Sequence, residues 1–317
     1  MNFDALSRSR IFFSLGALLL VAAGSARGQA TNADRARLVQ SQTQIPTTGI
    51  DSNNGVDQNY AAASPNDSDL GEQAILKRVE KAQPFSLETG TPIYYTSNVA
   101  LTDGHTKDDV IIAPVIGLTY SPKLGKTLYG DFSVRQQFFS YADNTGFNFA
   151  SFDAIAGAVY LIPKLHNLTL RANVDYNRLT GIDDFDAFFS NVALGLSAEL
   201  PIPIGRAQQI SLGVDGDVSL YATPSPPQRN DFGAYVGYAV NVSRSFALDA
   251  AARLVVRPYD SGRTDVSEVI ALSANYRVRE YLTLSLISTF VANQSNRSGF
   301  DYRVFNGGGA VSLTWKF

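Results

Sequence analysis

From Phe85 to Phe317, apolar and polar residues alternate in one segment after another. A strand sends successive side chains to opposite faces, so this alternation marks strands with one oily face and one wet face. Leu168, Leu170, Ala172, Val174 and Tyr176 share one face, with Thr169, Arg171, Asn173, Asp175 and Asn177 opposite. Ile210, Leu212, Val214, Val218 and Leu220 oppose Gln209, Ser211, Asp215, Asp217 and Tyr221. Phe232, Ala234, Val236, Tyr238, Val240 and Val242 make a further oily face, and Phe246, Leu248, Ala250, Ala252 and Leu254 oppose Asp249, Arg253 and Arg257. Twelve such segments are predicted, over 85–98, 109–121, 128–141, 148–162, 168–180, 186–200, 208–222, 230–243, 246–258, 265–277, 281–293 and 302–317. Each has about the length that a tilted strand needs to cross a bilayer.

The connections alternate too. After even-numbered segments they are tight or marked by proline: Pro122-Lys123-Leu124-Gly125, Pro163-Lys164-Leu165-His166, Pro201-Ile202-Pro203-Ile204-Gly205, Arg244-Ser245 and Arg279-Glu280. After odd-numbered segments they are polar and mostly longer, as in 102–108 and 293–301. Short turns at one end and longer loops at the other are the layout of a transmembrane barrel. A secreted β-sandwich would also alternate, but its wet face would be rich in Lys and Glu. Here the wet faces carry mostly Asp, Arg, Asn, Ser, Thr and Gly, which suits a lumen where planar Arg pairs with carboxylates. The prediction is an all-β fold: a transmembrane, antiparallel, up-and-down β-barrel of about 12 strands over 84–317. Three features fit less well: Glu268 on an oily face, Pro92 and Glu88 in the first strand, and Arg303 in phase with Phe305 and Phe317. The last requires a bulge near Gly307-Gly308-Gly309 or an Arg303 above the membrane. A count of ten or fourteen strands therefore stays open.

The final strand ends Val311-Ser312-Leu313-Thr314-Trp315-Lys316-Phe317, with Val311, Leu313, Trp315 and Phe317 on one face. A terminal aromatic with this alternation resembles the C-terminal assembly signal of bacterial outer-membrane β-barrel proteins, the porins among them. The resemblance covers about three-quarters of the chain. It implies a bacterial outer-membrane location, contact with outer-membrane lipid and lipopolysaccharide, and recognition by the barrel-assembly machinery. Twelve-stranded members include narrow channels for small anionic or neutral solutes, autotransporter domains and a phospholipase.

The N-terminus agrees with export. Arg8 and Arg10 precede an apolar run from Ile11 to Ala23, with small residues and cleavage positions after Ala26 or Ala30, so 1–30 read as a signal peptide. Residues 31–83 are rich in Asn, Gln, Ser, Thr, Asp and Ala without a sustained period, and read as a mostly disordered periplasmic linker. Within it 68–81 has the pattern of a short helix, capped by Ser68; isolated helices this short are barely stable, so it reads first as a marginal helix in a linker and second as a plug for the lumen or a dock for a periplasmic partner.

Composition adds little but consistently. The chain has 19 Phe and 15 Tyr, only 17% charged residues, a net charge of −3 and no cysteine. That leaves no disulfide framework or lipoprotein anchor, and gives no reason to expect a nucleic-acid partner. No phosphate loop, dinucleotide fingerprint or zinc spacing occurs, so no cofactor, metal or catalytic residue is assigned. Asp183-Asp184-Phe185-Asp186 is an acidic loop that reads as solvated. His105, with Asp103, Asp108 and Asp109 nearby, would serve a hydrolase only with a nucleophile in reach, and no serine stands in a recognisable relation to it.

Function therefore rests on the lumen. Projecting the strands inward puts Asp131, Arg135, Asp153, Arg171, Asp175, Glu199, Asp215, Asp217, Asp249, Arg253, Arg257 and Arg277 on its wall. Such charges tune selectivity in pores. The expectation is a narrow passive channel for small hydrophilic solutes, either monomeric or a homo-oligomer. A closed structural or adhesion barrel acting through its outer loops is the first alternative, and an outer-membrane hydrolase using His105 the second.

Overall fold

The computed structural model describes residues 32–42 and 83–317, except 105 and 206. The signal peptide over 1–30, the helix over 68–81 and His105 all lie outside the described residues.

Thirteen strands form one antiparallel sheet that closes on itself. β1 (Phe85–Thr96) pairs with β13 (Tyr302–Lys316), and each intervening strand pairs with its sequence neighbour. β2 (Asp109–Ile112) and β3 (Val115–Tyr120) lie end to end between β1 and β4 (Leu128–Tyr141). They are one stave interrupted at Ala113-Pro114. Proline has no N–H to give to the ladder. The break is bridged by the Ala113 N–H donating to the Pro92 carbonyl at 2.8 Å and the Phe138 N–H donating to the Pro114 carbonyl at 3.0 Å. With β2 and β3 counted as one, the thirteen strands make twelve staves, which excludes ten and fourteen.

The remaining strands are β5 (Phe149–Ile162), β6 (Leu168–Thr180), β7 (Ala187–Pro203), β8 (Gln208–Thr223), β9 (Asp231–Asn241), β10 (Phe246–Pro258), β11 (Thr264–Arg279) and β12 (Leu282–Ser295). An even stave count puts both barrel termini at the end with the tight turns. There Phe85 and Phe317 exchange backbone hydrogen bonds of 3.1 and 3.0 Å. Their rings stack at 5.6 Å, and Tyr120 and Phe132 continue the row. The chain's terminal aromatic thus sits in an interfacial aromatic row, as barrel girdles require.

The outward face carries an apolar band that includes Val134, Val174, Leu196, Val236, Ile270 and Leu286, all exposed. A continuous band of this kind is untenable in water and is the natural surface against lipid chains. Val174 lies mid-strand in β6, so Val174→Arg is expected to cost about 2–4 kcal/mol of stability. Denaturant unfolding of the liposome-inserted barrel measures it, and a loss below about 0.5 kcal/mol would argue against lipid contact there.

Two details resolve differently from the simple alternation. β8 bulges where Val192 pairs with Tyr221 but Ala193 with Ser219. The skipped residue, Leu220, inverts the parity beyond it. Tyr221, expected on the wet face, is 60% exposed outside, and Ala222 turns into the lumen at 6%. In β13 the register against β12 runs unbroken from Leu313 to Tyr302, so no bulge rescues Arg303. Arg303 points outward near the loop end, in one row with Ala292 and Glu268, which is outward too. Two charges at the same depth near a rim are tolerable, because the cost of lipid-facing charge falls toward the interface.

Candidate functional site

The lumen holds a helix. Residues 32–42, here α1, read Asn-Ala-Asp-Arg-Ala-Arg-Leu-Val-Gln-Ser-Gln, a run of mostly good helix formers. A helix this short is marginal in water, so its stability must come from packing. Ala33, Asp34, Arg35, Ala36, Leu38, Val39, Gln40 and Gln42 are all buried. Their neighbours run round the wall from β2 to β13. Ala33, Ala36 and Val39 pack in a cluster with Val99, Ile111, Phe139, Tyr141, Phe149, Leu179, Phe189 and Ala222. Leu38 packs with Leu101, Val269, Val291, Tyr302 and Val304. All of these lie toward the loop end, so α1 occupies that half of the lumen.

A helix buried on all sides must satisfy its polar groups inside. Asp34 accepts from Arg229 Nη1 at 2.7 Å, from the Tyr259 hydroxyl at 2.7 Å and from Arg263 Nη2. Arg229 also binds Asp231 at 2.9 Å, and Arg263 binds Asp265 at 3.0 Å. Burial alone would raise the Asp34 carboxyl, but Arg229 and Arg263 outweigh it and hold it below the usual carboxylate range. Gln40 Nε2 donates to both oxygens of Asp153 at 2.8 and 2.9 Å, and Asn306 Nδ2 donates to Gln42 Oε1 at 2.7 Å. Arg37 Nη1 donates to the Pro227 carbonyl at 2.8 Å. Arg35 instead lies over the Phe147 ring, 3.4 Å from its centroid.

Beneath α1 the wall is polar. A cavity of about 140 Å³ is lined by Arg37, Gln40, Ser41, Asp153, Asp175, Asn177, Asn191, Ala193, Asp217, Arg229 and Asp231. Asp153 is held by Gln40, by Asn177 at 2.7 Å and by Ser151 at 3.1 Å, with Arg135 opposite in register. Arg257 reaches Asp231 at 3.5 Å. Toward the turn end, Arg171 pairs with Asp131 at 3.3 Å, and Asp249 accepts from Ser273 at 3.1 Å and Asn275 at 3.0 Å. The Tyr235 hydroxyl bonds Glu199. Arg277 lies near the turn end, opposite Thr283.

Arg253 and Asp215 pair across β9 rather than with a neighbour, and glycine makes that crossing possible. Gly233 is the β9 residue opposite Asp215, and a Cβ there would stand 2.7 Å from Asp215 Oδ2 and 2.8 Å from Arg253 Nη2. Tyr235 likewise folds over Gly213, where a Cβ would meet its ring at 2.1 Å.

The projection inward thus gathers its charged residues into three groups: a plug-contacting set, a carboxylate-rich cavity wall and ion pairs nearer the turn end. It missed α1 and its partners Arg229, Tyr259 and Arg263. Two signals were available. Ala33, Ala36 and Val39 recur at helical spacing. Phe139, Tyr141, Phe149, Leu179 and Phe189 occupy wet-face parity at the loop ends of their strands, where an apolar side chain needs a cover. The acidic loop 183–186 carries no metal-like grouping of side chains among the described residues.

No family model matches the chain, and no curated protein matches it. Solved structures do. An outer membrane channel from Pseudomonas putida F1 aligns with a TM-score of 0.53 at 12% identity, covering 74% of this chain and 97% of that one. The translocator domain of the autotransporter NalP from Neisseria meningitidis aligns at 0.44 and 12% identity, over 75% and 90%. The KdgM porin aligns at 0.40 and 7%, over 73% and 99%. The fold is that of bacterial outer-membrane β-barrels. Its continuous apolar exterior suits the place of that fold in a bilayer.

Proposed function

We propose that this barrel is a narrow passive channel for small hydrophilic solutes, with α1 as a plug at its outer end. The observation that carries the reading is the polar, charge-lined lumen beneath α1. A closed structural barrel of this width would be expected to fill that space with side chains, and here a cavity remains. The likeness to a solved outer membrane channel favours the same reading. Passage needs no covalent step, only displacement of α1 or a path beside it. The aspartates and arginines of the wall would then set ion preference.

Proteoliposome swelling tests this with solutes of graded size. Chains lacking 32–42 are expected to pass small sugars and amino acids and to exclude larger oligosaccharides. A correctly folded barrel that passes none of them even without α1 would establish the structural alternative, in which the wall itself closes the lumen.

A further inference from the structure

Among the described residues, one cation on the plug has no counter-ion. Arg35 is 7% exposed, and its Nε and Nη1 make no hydrogen bond. Every other charged side chain of α1 reaches an acceptor or donor on the wall. Around Arg35 two more polar groups stand unused. The register sets Tyr94, Ile111 and Tyr141 in one row across β1, β2 and β4, with Ile111 between the two tyrosines. The hydroxyls of Tyr94 and Tyr141 are both buried without a partner. Tyr141 lies within electrostatic reach of both Arg35 and Tyr94, and its ring meets Phe147 edge-on at 6.1 Å. Phe147 carries Arg35 on its face.

This is a guanidinium and two phenols, all able to donate, packed among apolar side chains; the Asp109 carboxylate, also within electrostatic reach of Tyr141, is itself held by the Ala142, Asp143 and Asn144 N–H groups and the Asn144 side chain. Burial lowers Arg35 only to about 10, so it is charged at neutral pH. A ring face offsets part of the cost of a buried cation but accepts none of its N–H groups in a conventional bond. One small monoanion with several acceptor lone pairs would satisfy all three side chains. We propose that Arg35, Tyr94 and Tyr141 form a binding site for the carboxylate group of a small organic acid, at the outer end of the plug. The proposal rests on the channel reading and gives it a solute class: small organic carboxylates arriving from outside. Bound there, the anion neutralises the plug's one uncompensated charge.

Equilibrium dialysis of the full refolded chain against radiolabelled acetate at constant ionic strength tests it. Saturable binding is expected, weakened roughly tenfold or more in Arg35→Gln and in Tyr141→Phe, since each removes a hydrogen bond to a charged group. Tyr141→Phe keeps the ring packing, so it reports even where Arg35→Gln disturbs α1. Tyr160→Phe, on the outward face, should bind as the parent does. Absence of saturable binding, or binding by both variants as tight as the parent's, overturns the site. Displacement of acetate by an equal concentration of chloride overturns the carboxylate assignment. Acetate binding together with a plug-deleted barrel that conducts nothing would sink the channel and leave the site standing.

Discussion

Deleting residues 32–42 should convert a quiet barrel into a conducting one. In planar bilayers the intact chain is expected to give rare or brief openings, and the deleted chain long-lived discrete conductance steps. The reason is where α1 sits. Its apolar side chains meet wall residues from β2 to β13, so it spans the lumen rather than lining one side. Once it leaves, Phe139, Phe149 and Phe189 line a widened mouth above the charged wall. A salt gradient then gives the sign of selectivity. Asp153, Asp175, Asp217 and Asp231 share the cavity beneath α1 with Arg229, so the reversal potential tells which sign governs passage when the plug is gone. Identical conductance with and without α1 would mean that ions already pass beside it, and the helix would not be the closure.

Removing one carboxylate should loosen that closure. Asp34 meets two arginines, and Asp34→Ala leaves Arg229 and Arg263 buried beside it. Breaking one side of a buried charge cluster costs several kcal/mol. Asp231 and Asp265 remain to pair with the two arginines, which brings the expected loss to about 3 kcal/mol of docking, or roughly a hundredfold in the ratio of docked to free plug. The chain has no cysteine, so Ala36→Cys gives a clean reporter at a position 1% exposed. Its maleimide labelling is expected to be slow in the parent and roughly a hundredfold faster with Asp34→Ala. Equal rates would show that apolar packing alone holds α1.

The same carboxylate fixes a pH dependence. Its value in the docked state is depressed, so its contribution is complete above the ordinary carboxylate range and is lost as pH falls through the lower, docked-state value. The part of plug closure that Asp34 supplies should therefore be complete from about pH 7 to about pH 5 and be lost only in more acid solution. With Asp34→Ala any such acid loss attributable to this latch should vanish.

Much of the barrel was legible in the chain itself. Alternation has a period of two, and in a sheet with lipid outside and water inside each face must match its solvent, so strand positions and facing follow from local sequence. The charges of β6, β8 and β10 could be placed on the wall for that reason. Even strand count and loop asymmetry followed from the turns, since proline and glycine act locally. What alternation cannot carry is a change of phase. Tyr221 was placed on the wrong side because the bulge that skips Leu220 depends on how β7 and β8 twist against each other, not on either sequence alone.

The plug lay beyond the chain's local pattern for a different reason. In a segment that pairs with no strand, the helical spacing of Ala33, Ala36 and Val39 is a short signal, and 68–81 looked the better candidate. α1 forms because the lumen offers it a surface: a cluster of aromatics on one side and Arg229 and Arg263 for Asp34 on the other. Those partners lie 195 and 229 residues away along the chain. Contacts at such separation exist only once the sheet has closed. The sequence by itself determined a membrane barrel with a charged interior. Only the tertiary structure decided that a helix fills the loop-end half of the lumen, because that docking is made by tertiary contacts between residues far apart along the chain.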